Sequence, residues 1–246
     1  MKLTQENLRE KDFHNKLQSN SKGRFENIFY KAISNMQNDF LDIVKRHASN
    51  KIILDYGCGI GNNAEKIANF NPLKLTAIDI SDVSISKASE QAKNLGLNID
   101  YRTMNCEDTD LEDETYDIIY GAGILHHLKN EKSLPEIARL LKSNGKLIFM
   151  EPLGTNPIIN LYRKLTPNSR SIDEHPFTKD DFLILNKYFG KMKLKFYGFL
   201  TLVFFPFYSD PKNSKFFKFI SCIDQILFKF SFFRLFAWSV LINGEK

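Results

Sequence analysis

The sequence predicts an α/β fold: a doubly wound, mostly parallel sheet with helices on both faces. Two observations carry that expectation. From residue 51 onward, short apolar runs alternate with amphipathic segments at a regular spacing, the pattern of a parallel sheet buried between helices. The first of these runs also leads directly into a glycine-rich turn, ILDYGCGIGN at residues 53–62, with a helix-like segment behind it.

The elements follow in order. Residues 1–50 read as helical, with an apolar set at Phe25, Phe29, Ile33, Met36, Phe40 and Val44. Strands are expected at Ile52–Asp55, Leu75–Ile80, Ile99–Met104, Asp117–Tyr120 and Lys146–Met150. Helices are expected between them, at Asn62–Asn69, Val83–Leu95 and Leu134–Leu141. Ser81-Asp82 caps the second helix, and Asn144-Gly145 stops the third. Sheets of this kind bind ligands beyond the carboxyl ends of their strands.

Composition narrows the function classes. The chain has 246 residues, 43% of them hydrophobic, enough for one full-sized domain. A formal net charge of +5 with no block of like charges argues against a nucleic-acid partner. Cys58, Cys106 and Cys222 are scattered, without disulfide or metal-site spacing, so no metal is expected and a reducing cytoplasm fits. The first residues lack the apolar centre of a signal peptide, and no run approaches the ~20 apolar residues of a membrane span.

The turn carries the chemistry. Gly57, Gly59 and Gly61 strip side chains from the main chain beside a helix N-terminus, whose free N–H groups favour an anion. Asp79 closes the second strand, where a carboxylate can accept two hydrogen bonds from a ribose diol. A dinucleotide fingerprint reads G-x-G-x-x-G; this turn reads G-x-G-x-G, with Asp55 just ahead.

Four segments in order resemble the class I S-adenosylmethionine-dependent methyltransferases, the small-molecule type 11-like group among them: LDYGCGIGN, AIDIS, MNCEDTDLEDETYDIIYGAGILHHL and LPEIARLLKSNGKLIFMEP. The likeness covers about residues 50–152. It departs at Lys142-Ser143-Asn144-Gly145, where the family usually has Lys-Pro-Gly-Gly. It implies a Rossmann-like, seven-stranded sheet ending in an antiparallel pair. KLKFYGFL would be the sixth strand and LFAWSVLING the seventh. A single domain is implied: an N-terminal helical cover (1–49), a cofactor-binding core (50–152) and a substrate-side lid with a C-terminal helical insertion (153–246).

The resemblance also implies roles. The Gly57–Gly61 turn, Cys58 included as a small filler, faces the methionine part of S-adenosyl-L-methionine, with Asp55 near its ammonium group. Asp79 holds the ribose and Ile80 packs on the adenine. Asn105, Cys106 and Glu107 border the adenine, Asn105 standing where an aspartate is usual. Gly121 and Ala122 pass beneath the cofactor. For an acceptor hydroxyl, His126 or Glu151 would take the proton, while His127 reads as packing.

The segment LGTNPIINLYRKLTPNSRSIDEHPFTKDDF reads as a substrate lid or a solvated loop, with Tyr162, Arg163, Arg170 and His175 as acceptor contacts. Tyr30 and Arg24 would reach the cofactor carboxylate or the pocket, and Phe13 and His14 its mouth. Thirteen of the 22 phenylalanines lie between Phe196 and Phe236. There, Lys215–Phe233 suits an amphipathic helix, with Phe216, Phe219, Ile223, Ile226, Leu227 and Phe230 on the packing face and Ser214, Lys218, Ser221, Gln225 and Lys229 opposite. Three readings stay open for it: a roof over an apolar pocket, a homodimer interface, or a peripheral membrane or lipid-linked substrate contact.

The expected activity is methyl transfer to a small-molecule acceptor, on a hydroxyl oxygen of an apolar or secondary-metabolite substrate. A quinone-ring C-methyltransferase, a nicotinamide oxidoreductase and a non-catalytic S-adenosylmethionine-binding module are the alternatives.

Overall fold

The computed structural model describes residues 3–19, 28–166 and 171–246. Phe25, Arg24 and Arg170 fall outside the described residues, and so does the side chain of Phe29. The strands are β1 (Ile52–Tyr56), β2 (Lys74–Asp79), β3 (Asp100–Thr103), β4 (Tyr116–Ala122), β5 (Leu141–Pro152), β6 (Lys193–Tyr197) and β7 (Ser239–Glu245). They form one sheet in the order β3-β2-β1-β4-β5-β7-β6. All neighbours are parallel except those of β7, which runs antiparallel to both β5 and β6. The expected seven-stranded, doubly wound architecture is therefore present.

Strand alternation builds two cores. Ile53, Ile118 and Ile148 face one layer, closed by helix α2 (Ser34–Ala48) through Met36, Phe40, Val44 and Ala48 and by α3 (Asn62–Ala68). Leu54, Ile119 and Leu147 face the other, closed by α5 (Asn130–Leu140) through Leu134, Ile137 and Leu140. Helix α4 (Asp82–Asn94) flanks β2 and β3 and is capped by Ser81, whose hydroxyl accepts the Ser84 N–H at 3.0 Å.

N-terminal to these lies α1 (Gln5–Ser19), a strongly polar helix separated from α2 by a 3₁₀ turn at Ile28–Ile33. After β5 come α6 (Pro157–Leu165), α7 (Lys179–Tyr188), and, between β6 and β7, α8 (Leu200–Val203), α9 (Lys215–Leu227) and α10 (Ser231–Arg234). Asn156 caps α6, accepting the Ile158 and Ile159 N–H groups, with Pro157 in the first turn. Thr178 and Asp181 form a reciprocal capping box on α7. No helix among the described residues is long and apolar enough to cross a membrane.

Two expectations are corrected. Strand β5 begins at Leu141, before the turn, because Leu141 pairs with Tyr116 and a register shift admits Asn144 at φ 64°. In the C-terminal insertion, the expected Lys215–Phe233 helix breaks after Leu227, where the Phe228 carbonyl turns to accept the Arg234 Nε–H at 2.8 Å. The face of α9 that packs inward also differs from the expected one. It carries Phe217, Ile220, Asp224 and Phe228, with Ser221 and Gln225 beside them. Phe216, Phe219, Ile226 and Phe230 point to solvent, Phe219 at 64% and Phe230 at 62% exposed. The reason is a buried polar cap. Asp224 accepts the N–H groups of Phe199, Leu200 and Thr201 and the Thr201 hydroxyl at 2.8–3.3 Å. Those free helix-terminal donors, more than apolar periodicity, fix the rotation of α9.

Candidate cofactor and acceptor site

The turn after β1 is held to β2 by its main chain. Gly57 and Cys58 both donate to the Ile78 carbonyl at 2.9 Å, and Gly59 N–H donates to Asp79 Oδ2 at 2.8 Å. Asp79 Oδ1 accepts the Ser81 N–H at 2.9 Å. Each carboxylate oxygen keeps a second lone pair for a ligand. Ile80 beside it is half-buried.

The three glycines have different surroundings. All adopt positive φ, which a side chain disfavours. A Cβ on Gly57 would fall 2.3 Å from Ile124 Cγ1, and one on Gly61 2.4 Å from the Tyr101 hydroxyl oxygen. Those two are glycines because neighbouring side chains occupy the space. A Cβ on Gly59 meets nothing within 4 Å. Gly59 therefore faces an open cradle, and it is the glycine bonded to Asp79.

Asp55 lies under this turn, 2% exposed, accepting the Tyr120 hydroxyl at 2.9 Å. Burial pushes its carboxyl up to about 8, against the Tyr120 hydrogen bond and with help from the Asp79 charge. A buried carboxyl of this kind is ready to ionise when a cation arrives. Cys58 and Cys106 are neutral thiols held up by burial, so neither is a nucleophile.

On the β3 side, Asn105 Oδ1 accepts the Glu107 N–H at 3.0 Å. The Cys106 carbonyl accepts the Tyr56 hydroxyl. Glu107 accepts the Lys129 N–H at 2.8 Å. Helix α1 covers this edge: Asn7 lies 3.4 Å from both Asn105 and Glu107. Sequence reasoning missed Asn7, which carries no motif. The rest of α1 is attached by polar contacts, Lys11 to Asp82 at 2.9 Å, Asn15 to Asp82 at 3.0 Å, and Arg9 to Asp173 through two bonds of 2.7 and 2.8 Å.

Beyond Gly121 and Ala122 the chain enters the His126-His127 turn. Gly121 has no room for a side chain, since a Cβ there would lie 2.5 Å from the Phe149 ring. Glu151, 1% exposed, accepts the Ile124 and Leu125 N–H groups at 3.1 and 2.9 Å and sits 2.8 Å from His126 Nδ1. Burial pushes its carboxyl up to about 7, partly offset by these backbone donors. Enclosed in this way, Glu151 orients the turn and the His126 imidazole. His127 packs between the His126 ring at 4.1 Å and the His14 ring at 5.2 Å. Burial lowers its pKa, which keeps it neutral.

The lid residues separate. His175 donates its N–H to the His126 carbonyl and places Nε2 on the Leu128 carbonyl, each at 2.9 Å. It joins the lid to the site and must carry its proton on Nε2. Arg163 instead braces its own helix, bonding the Leu153 carbonyl at 3.0 Å and Asn160 at 2.9 Å. Half-buried Tyr162, on the same helix, gives its carbonyl to the Thr166 hydroxyl at 2.8 Å. Tyr30 lies against Trp238, ring centroids 5.3 Å apart, and is 51% exposed.

Residues 53–145 match the family described as a methyltransferase domain. Sterol 4-C-methyltransferase strm-1 of Caenorhabditis elegans is 34% identical over 106 residues, 42% of this chain and 31% of that protein. Ubiquinone biosynthesis O-methyltransferase of Nitrosomonas europaea is 30% identical over 132 residues, 53% of this chain and 55% of that protein. The matched stretch thus spans between about a third and about half of these curated relatives. Geranyl diphosphate C-methyltransferase from Streptomyces coelicolor A3(2), solved with Mg²⁺, geranyl diphosphate and S-adenosyl-L-homocysteine, superposes with a TM-score of 0.68 at 11% identity, covering 100% of this chain and 99% of that one. Phosphoethanolamine N-methyltransferase 2 of Haemonchus contortus, solved with phosphomonomethylethanolamine and S-adenosylhomocysteine, gives 0.63 at 17% identity, covering 85% and 52%. Residues 53–145 therefore form a methyltransferase domain, on a sheet with the fold of the class I S-adenosylmethionine-dependent methyltransferases.

Proposed function

We propose that the chain transfers a methyl group from S-adenosylmethionine to a hydroxyl oxygen of a small apolar acceptor. The observation that carries this reading is the Gly59 cradle beside Asp79, over a buried Asp55. The residues fit the cofactor chemically. Asp79 offers acceptors to a ribose diol, and Asp55 offers a latent negative charge to an ammonium or sulfonium. The cofactor, when bound, supplies a methyl group already activated by positive sulfur. What remains for the chain is alignment and one proton. Glu151 holds His126 Nδ1–H, which puts the basic lone pair on Nε2. His126 is the base and Glu151 its positioning residue. His126→Ala is expected to abolish turnover of hydroxyl acceptors in a methyl-transfer screen and to leave S-adenosylhomocysteine affinity unchanged. Undiminished turnover would remove the base role.

The acceptor's apolar character rests on the outer face of the insertion. Phe207, Phe216, Phe219, Ile226, Phe230 and Phe232 are exposed there, and so are Lys212, Lys215, Lys218 and Lys229, interspersed along the same stretch of chain. Exposed aromatic side chains interspersed with lysines suit an anionic membrane surface, where a lipid-derived acceptor resides. Co-sedimentation with phosphatidylglycerol vesicles is expected at low salt and is lost on Phe219→Ser with Phe230→Ser. Absence of pelleting, together with dimers in solution that the same substitutions dissociate, would instead assign this face to a second copy.

A further inference from the structure

Helix α1 brings Glu10 and His14, one turn apart, against His127 on the loop after β4. One ligand-capable atom from each lies within 4.8 Å of the other two. Glu10 Oε2 is 3.2 Å from His127 Nδ1 and 3.5 Å from His14 Nε2. These are poor hydrogen bonds and good ligand edges. Bonds of about 2.1 Å to a tetrahedral ion place its ligand atoms about 3.4 Å apart.

A second observation points into the same space. Glu10 Oε2 and His127 Nδ1 are buried and face each other without a well-aligned hydrogen bond, and Glu174 Oε2, near His127, is buried without one. His127 and Glu174 also fall in a second group, with His126. Unpaired polar atoms in a buried site cost about 1–3 kcal/mol each. An ion lying among Glu10, His14 and His127 would satisfy Glu10 Oε2 and His127 Nδ1. Glu10 is only 5% exposed, and its other oxygen accepts the Ser171 hydroxyl, which fixes the carboxylate's orientation.

We propose that Glu10, His14 and His127 bind one divalent transition-metal ion of the zinc class, fastening the cover helix to the catalytic loop. Two imidazoles and a carboxylate are a set that zinc accepts with a fourth position open to water or an acceptor oxygen. Magnesium, which prefers oxygen ligands and octahedral geometry, fits poorly. His14 is half-buried, which gives an ion a way in.

The test uses the full chain, stripped with chelator and titrated with zinc sulfate by calorimetry. One zinc per chain is expected. His14→Ala, on a half-exposed helix position, is expected to weaken binding about a hundredfold, since even outer partners of a metal site cost about 10–100-fold. His47→Ala, on the exposed side of α2, is expected to leave binding unchanged. Cobalt(II) is expected to give the strong visible absorption of a four-coordinate site, and zinc to slow tryptic cleavage at Lys11 and Lys16. No stoichiometric zinc, equal binding by His14→Ala, or magnesium binding of equal strength would overturn the proposal. S-adenosylhomocysteine affinity, measured on the same samples, separates failure of this site from failure of the cofactor site.

Discussion

Replacing Gly57 and Gly59 separately by alanine distinguishes packing from ligand binding within one turn. At Gly57 the φ of 76° strains an alanine by about 1–2 kcal/mol. Its Cβ would also lie 2.3–2.8 Å from three Ile124 atoms. Forcing that contact apart adds about 1–3 kcal/mol. The sum, roughly 2–5 kcal/mol, lowers Tm by about 5–15 °C in a chain of this size. At Gly59 the φ of 54° carries a similar backbone strain but the Cβ meets nothing within 4 Å. Gly59→Ala is therefore expected to lose only about 2–8 °C. Its cost appears elsewhere, as a methyl group in the space assigned to the cofactor. A loss of at least about tenfold in affinity, near 1.4 kcal/mol, is expected. Thermal unfolding and calorimetry with S-adenosylhomocysteine read the two effects. Wild-type affinity in Gly59→Ala would refute the cradle as the cofactor's seat.

Further outcomes follow from other groups. Asp55, raised to about 8 from an ordinary 3.8, is protonated at neutral pH, so S-adenosylmethionine binding is expected to release a proton that Asp55→Asn does not. Calorimetry at pH 7 in buffers of different ionisation enthalpy measures it; equal proton release in both proteins would reject it. Because the folded carboxyl titrates above its unfolded value, its contribution to stability declines as pH rises from about 4 to about 8, and Asp55→Asn should flatten that decline in urea midpoints. Asp224→Ala strands three backbone donors at the start of α8 and is expected to cost about 3–5 kcal/mol, a Tm loss near 10 °C, with Asp224→Asn milder; a loss under about 2 °C would contradict the cap. Arg9→Ala removes a 50%-exposed partner of Asp173, and tryptic cleavage of α1 is expected to rise by up to about fivefold, an effect that high salt should mimic.

The glycine turn and its bond to Asp79 were legible because their determinants are local. Glycines that require positive φ and an acid closing the next strand sit within a few dozen residues of one another. The acceptor side was less so. Glu151 reads as a base from its place at a strand end, and only the fold shows its backbone donors from residues 124 and 125. Glu10 and His14 share a helix face, a signal present in the sequence, but their partner His127 lies far along the chain. The rotation of α9 was misread for a related reason. Apolar periodicity identified a helix and two faces, while Asp224, a polar residue, decided which face turned inward.

Helix α1 touches two separate segments, at Asn105 and Glu107 through Asn7, and at Asp173 and Ser171 through Arg9 and Glu10. One element fastened to both segments couples their positions. Under the proposed activity, loosening α1 is expected to raise the KM for cofactor and acceptor together.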